Sequence, residues 1–284
     1  VKLTYGADFE MFLMLNDEVK PICGLLGGTK DQPLQIPGAP PGYLYQEDGV
    51  TAEFNVPVTD SPTEFVQSLR TAMDHAKRLV KEKIGKKARL LPRSAWSFPM
   101  EYLTPHPEAM RAGCDPDYQC YFEGRERDAP DITAWGGWRF AGFHIHIGYD
   151  TIRLPEWMMA LVLDQYLFRL VSDSCYDRNN HYPRGIFRPK PYGVEYRGLG
   201  SSHLDLLPDL EMRLNNIAVR LADQFSATVD GCLNQKDSEA DILLGGTGRI
   251  GGRRAAGPRP ANRVINDFGQ GINDLPRMQV GVIR

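Results

Sequence analysis

The sequence predicts an α+β fold built on a largely antiparallel sheet. Strand-like segments come first along the chain, and helices then interleave irregularly, without the strict βαβ alternation that marks a parallel sheet. Four strand candidates also carry polar residues at every second position with apolar residues between, the period of a sheet that has one buried face and one working face.

The first candidate centres on Thr4–Leu13, within a patterned run from Lys2 to Leu15. The stretch from Gly24 to Gly42 reads as loop, because Gly27-Gly28-Thr29-Lys30 and Pro37-Gly38-Ala39-Pro40-Pro41 concentrate residues that break regular structure. Thr51–Val58 is a second strand. Ser61-Pro62-Thr63-Glu64 is a capping box with proline at the first helical position. Phe65, Leu69, Ala72 or Met73, Ala76, Leu79 or Val80, and Ile84 then recur on one helical face, and Gly85 stops the helix. Such a face expects the back of a sheet. Residues 87–138 mix strand-like pieces with polar loops. Phe140–Gly148 is a strand, Leu154–Asp173 a helix opened by Pro155, and 176–192 a basic, proline-containing loop. Gly193–Leu199 is a short strand and Leu207–Thr228 a third helix.

At 284 residues, 42% hydrophobic and 24% charged, the chain has the composition of an ordinary globular protein. No apolar run reaches membrane-spanning length. A formal net charge of −3 argues against a general nucleic-acid binder. The five cysteines, Cys23, Cys114, Cys120, Cys175 and Cys232, show no zinc-site spacing in sequence and read as reduced thiols of a cytoplasmic protein.

Chemistry is concentrated in the alternating strands. Asp8 and Glu10 flank Phe9; Glu53 and Asn55 flank Phe54; His144 and His146 alternate with Phe143, Ile145 and Ile147; Glu195 and Arg197 flank Tyr196. If these strands are neighbours, one face gathers carboxylates, two imidazoles and an arginine. Crowded carboxylates raise each other's pKa unless a cation lies among them. Mg2+ is the natural occupant, since it takes oxygen ligands and phosphates. Just before the last strand, Arg184, Arg188 and Lys190 place three cations within seven residues, suited with Arg197 to surround a polyphosphate. Each pair has a plainer reading as well, as a solvated strand face, a structural histidine pair or an ion-paired loop.

Taken in order, Gly6-Ala7-Asp8-Phe9-Glu10, Gly27-Gly28-Thr29-Lys30, Asp48 through Ala52-Glu53-Phe54-Asn55, Gly142-Phe143-His144-Ile145-His146-Ile147-Gly148 and Tyr192-Gly193-Val194-Glu195-Tyr196-Arg197 resemble the phage-type COOH–NH2 ligase family. That family belongs to the glutamine synthetase and glutamate–cysteine ligase group, and the likeness spans roughly residues 4–200. It implies a glutamine synthetase-like catalytic domain, a curved, mostly antiparallel sheet with helices on its convex face. It implies metal ligands at Asp8, Glu10, Glu53, His144 and Glu195, with Asp48 a companion to Glu53. His146, Lys30, Arg184, Arg188, Lys190 and Arg197 are implied as ATP or phosphate contacts. The arginines Arg184, Arg188 and Arg197 would stabilise the transferring phosphoryl group. The implied cofactors are ATP and Mg2+, with Mn2+ as an alternative ion. The implied partners are small-molecule or peptide carboxylate and amine substrates, with no membrane or nucleic acid, and a homo-oligomer is compatible.

Other readings stay open. A His-x-His hydrolase or cupin-like enzyme would use His144 and His146, an acidic ligand from Asp150 or Glu156, and a third histidine from His181 or His203. An inactive binding module of the same fold is the non-enzymatic reading. The expected organisation is a catalytic domain over 1–244 and a Gly/Arg-rich loop and tail over 245–284. There, Gly246-Thr247-Gly248-Arg249-Ile250-Gly251 fits a dinucleotide string without a surrounding βαβ unit.

Overall fold

The computed structural model describes residues 2–111, 116–128, 132–149, 154–167 and 184–234. The chain divides into two units, Val1–Asp230 and Gly231–Arg284. The expected boundary at 244, the glycine string at 246–251, His181, and residues 176–183 of the 176–192 loop lie outside the described residues, as do Cys114 and Cys175.

The strands are β1 (Leu3–Leu15), β2 (Glu18–Lys20), β3 (Leu34–Gln35), β4 (Leu44–Asp48) and β5 (Thr51–Thr59). After helix α1 (Pro62–Lys83) come β6 (Ala88–Leu91), β7 (Ala95–Ser97), the single-turn α2 (Met100–Leu103), β8 (Tyr118–Gln119), β9 (Arg125–Glu126), β10 (Trp138–Phe140) and β11 (Gly142–Tyr149). Helix α3 (Glu156–Leu167), β12 (Ile186–Lys190), β13 (Gly193–Gly200) and α4 (Leu207–Asn234) follow. Among the described residues, eleven strands form one sheet in the order β3-β4-β5-β1-β11-β13-β12-β8-β9, with β2 and β6 paired to the distal half of β1. Every pairing in it is antiparallel. The α+β class with a large antiparallel sheet therefore holds. Among the described residues no helix is long and apolar enough to cross a membrane.

The apolar side of the sheet carries Phe9, Phe54, Phe143, Ile145, Ile147, Val194 and Tyr196, all buried. Phe9 and Phe54, opposite each other across β1 and β5, stack with ring centroids 5.6 Å apart. Helix α1 packs on β5, β6 and β1 through Phe65, Leu69, Ala72, Ala76 and Val80, and α3 covers β13 and β12. The cap of α1 is the one its sequence specifies: the Ser61 hydroxyl accepts the Glu64 amide at 3.2 Å.

Two segments differ from expectation. The single strand expected over Phe140–Gly148 is two, because Ala141 turns its backbone out of register. Its amide donates to Ser94 O (3.0 Å) and its carbonyl accepts from the Ser201 amide (3.0 Å). That separates β10, paired to β7, from β11 in the main sheet. The basic stretch expected as loop contains β12, in register with β13 so that Arg188 faces Glu195 and Pro189 faces Val194. Pro189 disguises this strand in sequence, since proline usually argues against one.

Candidate active site

The polar face is assembled by register. Asp8 of β1 lies opposite Asn55 of β5 and His144 of β11, and Glu10 lies opposite Glu53. Glu53 lies opposite Gln46 of β4, His146 opposite Glu195 of β13, and Glu195 opposite Arg188 of β12. Six adjacent strands thus present Gln46, Asp48, Glu53, Asn55, Asp8, Glu10, His144, His146, Glu195, Arg197, Arg188 and Lys190 to one side. Nearest-neighbour pairing of alternating strands leaves these side chains no other face to occupy.

At one end, ligand oxygens of Glu10, Asp48 and Glu53 lie within 4.8 Å of one another. Glu10 is buried, and one oxygen accepts the Gly142 amide at 2.9 Å. Burial, then the Asp48 charge, pushes the Glu10 carboxyl up to about 8. Burial and the surrounding carboxylates Asp8, Glu10 and Asp48 also push Glu53 well above the usual range. Arg197 pulls Glu10 the other way, but by less than burial and Asp48 push it up. Asp48 joins because the tight β4–β5 turn sets it opposite Thr51, two residues before Glu53.

At the other end, Asp8, His146 and Glu195 bring ligand atoms within 4.8 Å of one another. Asp8 is bracketed by both imidazoles, 2.5 Å from His144 Nδ1 and 2.8 Å from His146 Nε2. Burial opposes its charge, yet His144 and then His146 outweigh burial and hold Asp8 well below the ordinary carboxylate range. Glu195 is buried too; Arg197 outweighs that burial and draws its carboxyl down to about 2. Glu195 pairs with Arg197 and, at 2.7 Å, with Lys190 Nζ. The resemblance implies His144 as metal ligand and His146 as phosphate contact. Both imidazoles adjoin these carboxylates: His146, opposite Glu195, shares the donor group, while buried His144 lies 3.7 Å from Glu195 Oε1 and 3.1 Å from Arg197 Nη1.

Three residues given no part in the sequence reading complete the arrangement. Asp117, just before β8, holds Arg188 Nε at 2.9 Å and Arg197 Nε at 3.2 Å. It sits in a region without periodic signal, so spacing alone could not find it. Tyr192, in the β12–β13 turn, is hydrogen-bonded through its hydroxyl to His146 Nδ1. The side chain of Gln46 hydrogen-bonds Glu53.

One expected contact is not on this face. Arg184 turns to the helix side, where its Nε donates to fully buried Asp164 of α3 at 3.0 Å. The same carboxylate accepts from Tyr121 Oη (2.6 Å), the Gly185 amide (2.6 Å) and Tyr196 Oη (2.7 Å). A buried carboxylate needs such partners, and Arg184 supplies its charge balance. Lys30 lies in the exposed Thr29–Gln32 turn. The glycine loop before it does not offer its amides outward, because those of Gly24, Leu26 and Gly27 donate to Glu47 at 2.6–2.7 Å. Gly28 at φ 81° has no room for a side chain; a Cβ there would meet Tyr45 O at 2.9 Å. His203, a candidate third imidazole for a cupin-like site, instead caps the 3-10 helix Ser201–Leu206, its Nδ1 2.7 Å from Gly200 O.

No protein-family model matches the chain, and no curated protein matches it at significant similarity.

Proposed function

We propose that this chain is an ATP-dependent carboxylate–amine ligase of the glutamine synthetase-like group, joining an amine to a carboxylate through an acyl phosphate. The observation that carries the reading is the order of groups across one strand face: three crowded carboxylates, then a mixed carboxylate–imidazole group, then Arg197, Arg188 and Lys190. Such an order suits a polyphosphate laid between divalent cations and arginines.

The donor sets fit the ions. Glu10, Asp48 and Glu53 form an all-oxygen group, and burial followed by carboxylate repulsion displaces Glu10 and Glu53 upward, which a cation placed among them would offset. They would hold one Mg2+, and Asp8, His146 and Glu195 a second. Bound there, the ions would neutralise phosphate oxygens and polarise the phosphorus. The remaining work falls to the chain itself. Arg188 and Arg197, nearly buried, present guanidinium groups for the charge that develops on the transferring phosphoryl group. Asp117 fixes both forks through their Nε atoms. Tyr192 and Asp8 hold the His146 ring from its two nitrogens.

A second reading draws on the mixed group. One imidazole with two carboxylates also suits a transition ion, so a metal-dependent hydrolase would use Asp8, His146 and Glu195. It leaves the Glu10 group and the arginines without a task. An ADP-release screen with paired pools of carboxylates and amines, followed by mass detection of product, tests the ligase. ADP formed only when both pools are present, with a condensation product that has lost water, supports it. Tightly held zinc or iron at the mixed group, with no ADP from any pair, would favour the hydrolase.

A further inference from the structure

A separate set of donors meets beneath the β4–β5 turn. Cys23 follows β2, and His106 and Glu108 flank the start of the 3-10 turn Pro107–Met110. Their thiol, imidazole and carboxylate ligand atoms lie within 4.8 Å of one another. We propose that Cys23, His106 and Glu108 form a site for a divalent transition ion of the zinc class. This site clips the loop after β2 and the 106–110 turn onto the β4–β5 turn.

The backbones that carry these donors are already fixed. Cys23 and Ala109 share one buried cluster with Phe12, Val50, Phe98 and Leu103. The Ile22 amide donates to Val50 O (3.1 Å), Cys23 Sγ reaches Gly49 O (3.1 Å), and the Ala109 amide donates to His106 O (3.0 Å). A Cβ placed on Gly49 would lie 3.7 Å from Glu108 O, so the 106–110 turn rests directly on the hairpin. Cys23 is buried, whereas the side chains of His106 and Glu108 are 35% and 52% exposed at the rim. Ligand bonds of about 2.0–2.3 Å in a tetrahedron set neighbouring donors roughly 3.5 Å apart. The two rim side chains therefore need only turn inward by about an ångström, without backbone movement.

Donor chemistry separates this site from the strand face. Mg2+ prefers oxygen and leaves a thiolate, while thiolate with imidazole selects zinc-like ions. Three protein ligands leave one position for water. On binding, the ion takes the place of the thiol's proton on sulfur, the proton passes to solvent, and no electron moves. Gly49 adjoins Asp48, so an ion at Cys23 would stiffen the turn that carries one of the strand-face carboxylates.

The test is a Co2+ titration of the metal-stripped full chain, with Co2+ reporting for zinc through its thiolate charge-transfer band. One equivalent should produce the band, and Zn2+ should abolish it by displacement. The band should vanish in Cys23→Ser and persist unchanged in Glu10→Gln, which touches the strand face alone. Removing even an outer partner of a metal ligand commonly costs about 10–100-fold in affinity, so His106→Ala should weaken Co2+ binding at least that much. Should Cys23→Ser not fold, His106→Ala and the rim change Glu108→Gln decide, since both leave the buried cluster intact. Absence of the band at excess Co2+, its survival in Cys23→Ser, or unchanged affinity in both rim variants overturns the site. None of these readouts depends on ligase activity.

Discussion

The two ends of the polar face handle negative charge in opposite ways. Glu10, Asp48 and Glu53 are packed together with one backbone amide and the Gln46 side chain for help, and burial with the neighbouring carboxylates makes Glu10 and Glu53 hold their protons. Asp8 and Glu195 sit as deep, yet His144, His146, Arg197 and Lys190 keep them ionised. Under the ligase reading the first end takes an added cation; the second carries its own. Identical side chains on one face of the sheet thus differ in what their loss would do.

The largest contrast is expected from Glu10→Gln set beside Glu195→Gln. Under the ligase reading each abolishes substrate-dependent ADP formation, by roughly a hundredfold or more. Their stabilities should diverge in sign. Without divalent ions, Glu10→Gln relieves repulsion and should melt above wild type. Glu195→Gln removes the partner of Lys190 and leaves Arg197 with Asp117 in place of two carboxylates, and should cost on the order of 3 kcal/mol. Urea unfolding in chelator measures both, and equal shifts of the same sign would erase the distinction.

Arg188→Ala should come next, slowing turnover by about ten- to a hundredfold while changing adenine nucleotide affinity far less. Parallel losses in both would contradict a transition-state role.

A smaller effect appears in pH. Folded Glu10 keeps its proton to about 8, whereas the unfolded chain releases it near 4.5. Between those values the folded state binds more protons, so metal-free stability should fall as pH rises through this window. Glu195 runs the other way: folded it titrates near 2, so its contribution is present above 4.5 and lost as pH drops toward 2. Saturating Mg2+ should flatten the upper limb alone. A flat upper limb without any divalent ion would remove the crowded end.

Smallest of all, Arg184→Ala should leave kcat/KM within about twofold while lowering stability by about 1–3 kcal/mol, because it balances Asp164 behind the sheet. A turnover loss matching that of Arg188→Ala would return Arg184 to the working face.

Much of this was readable without coordinates. The pairs Asp8/Glu10, Glu53/Asn55, His144/His146 and Glu195/Arg197 declared a shared face through their spacing of two, and α1 announced its start through Ser61 and Glu64. Strand β4 was hidden behind a run of Gly and Pro, and β12 behind Pro189. The reading of Arg184 with Arg188 as one cationic group failed at a turn: Gly185 ends the stretch in which Arg184 lies, and β12 begins at Ile186. Asp117 belongs to a segment whose only relation to Arg197 is spatial.

By itself the sequence determined which residues share a side of each strand and where α1 begins, since side-chain alternation and end-capping depend on neighbours within a few positions. Tertiary structure alone decided that β1 lies between β5 and β11, that His146 meets Glu195, and which carboxylates have cations beside them. Those outcomes come from pairing between residues as far apart in sequence as Leu3 and Tyr149. Register there is set by how whole faces bury against α1 and α3, and no local pattern encodes that.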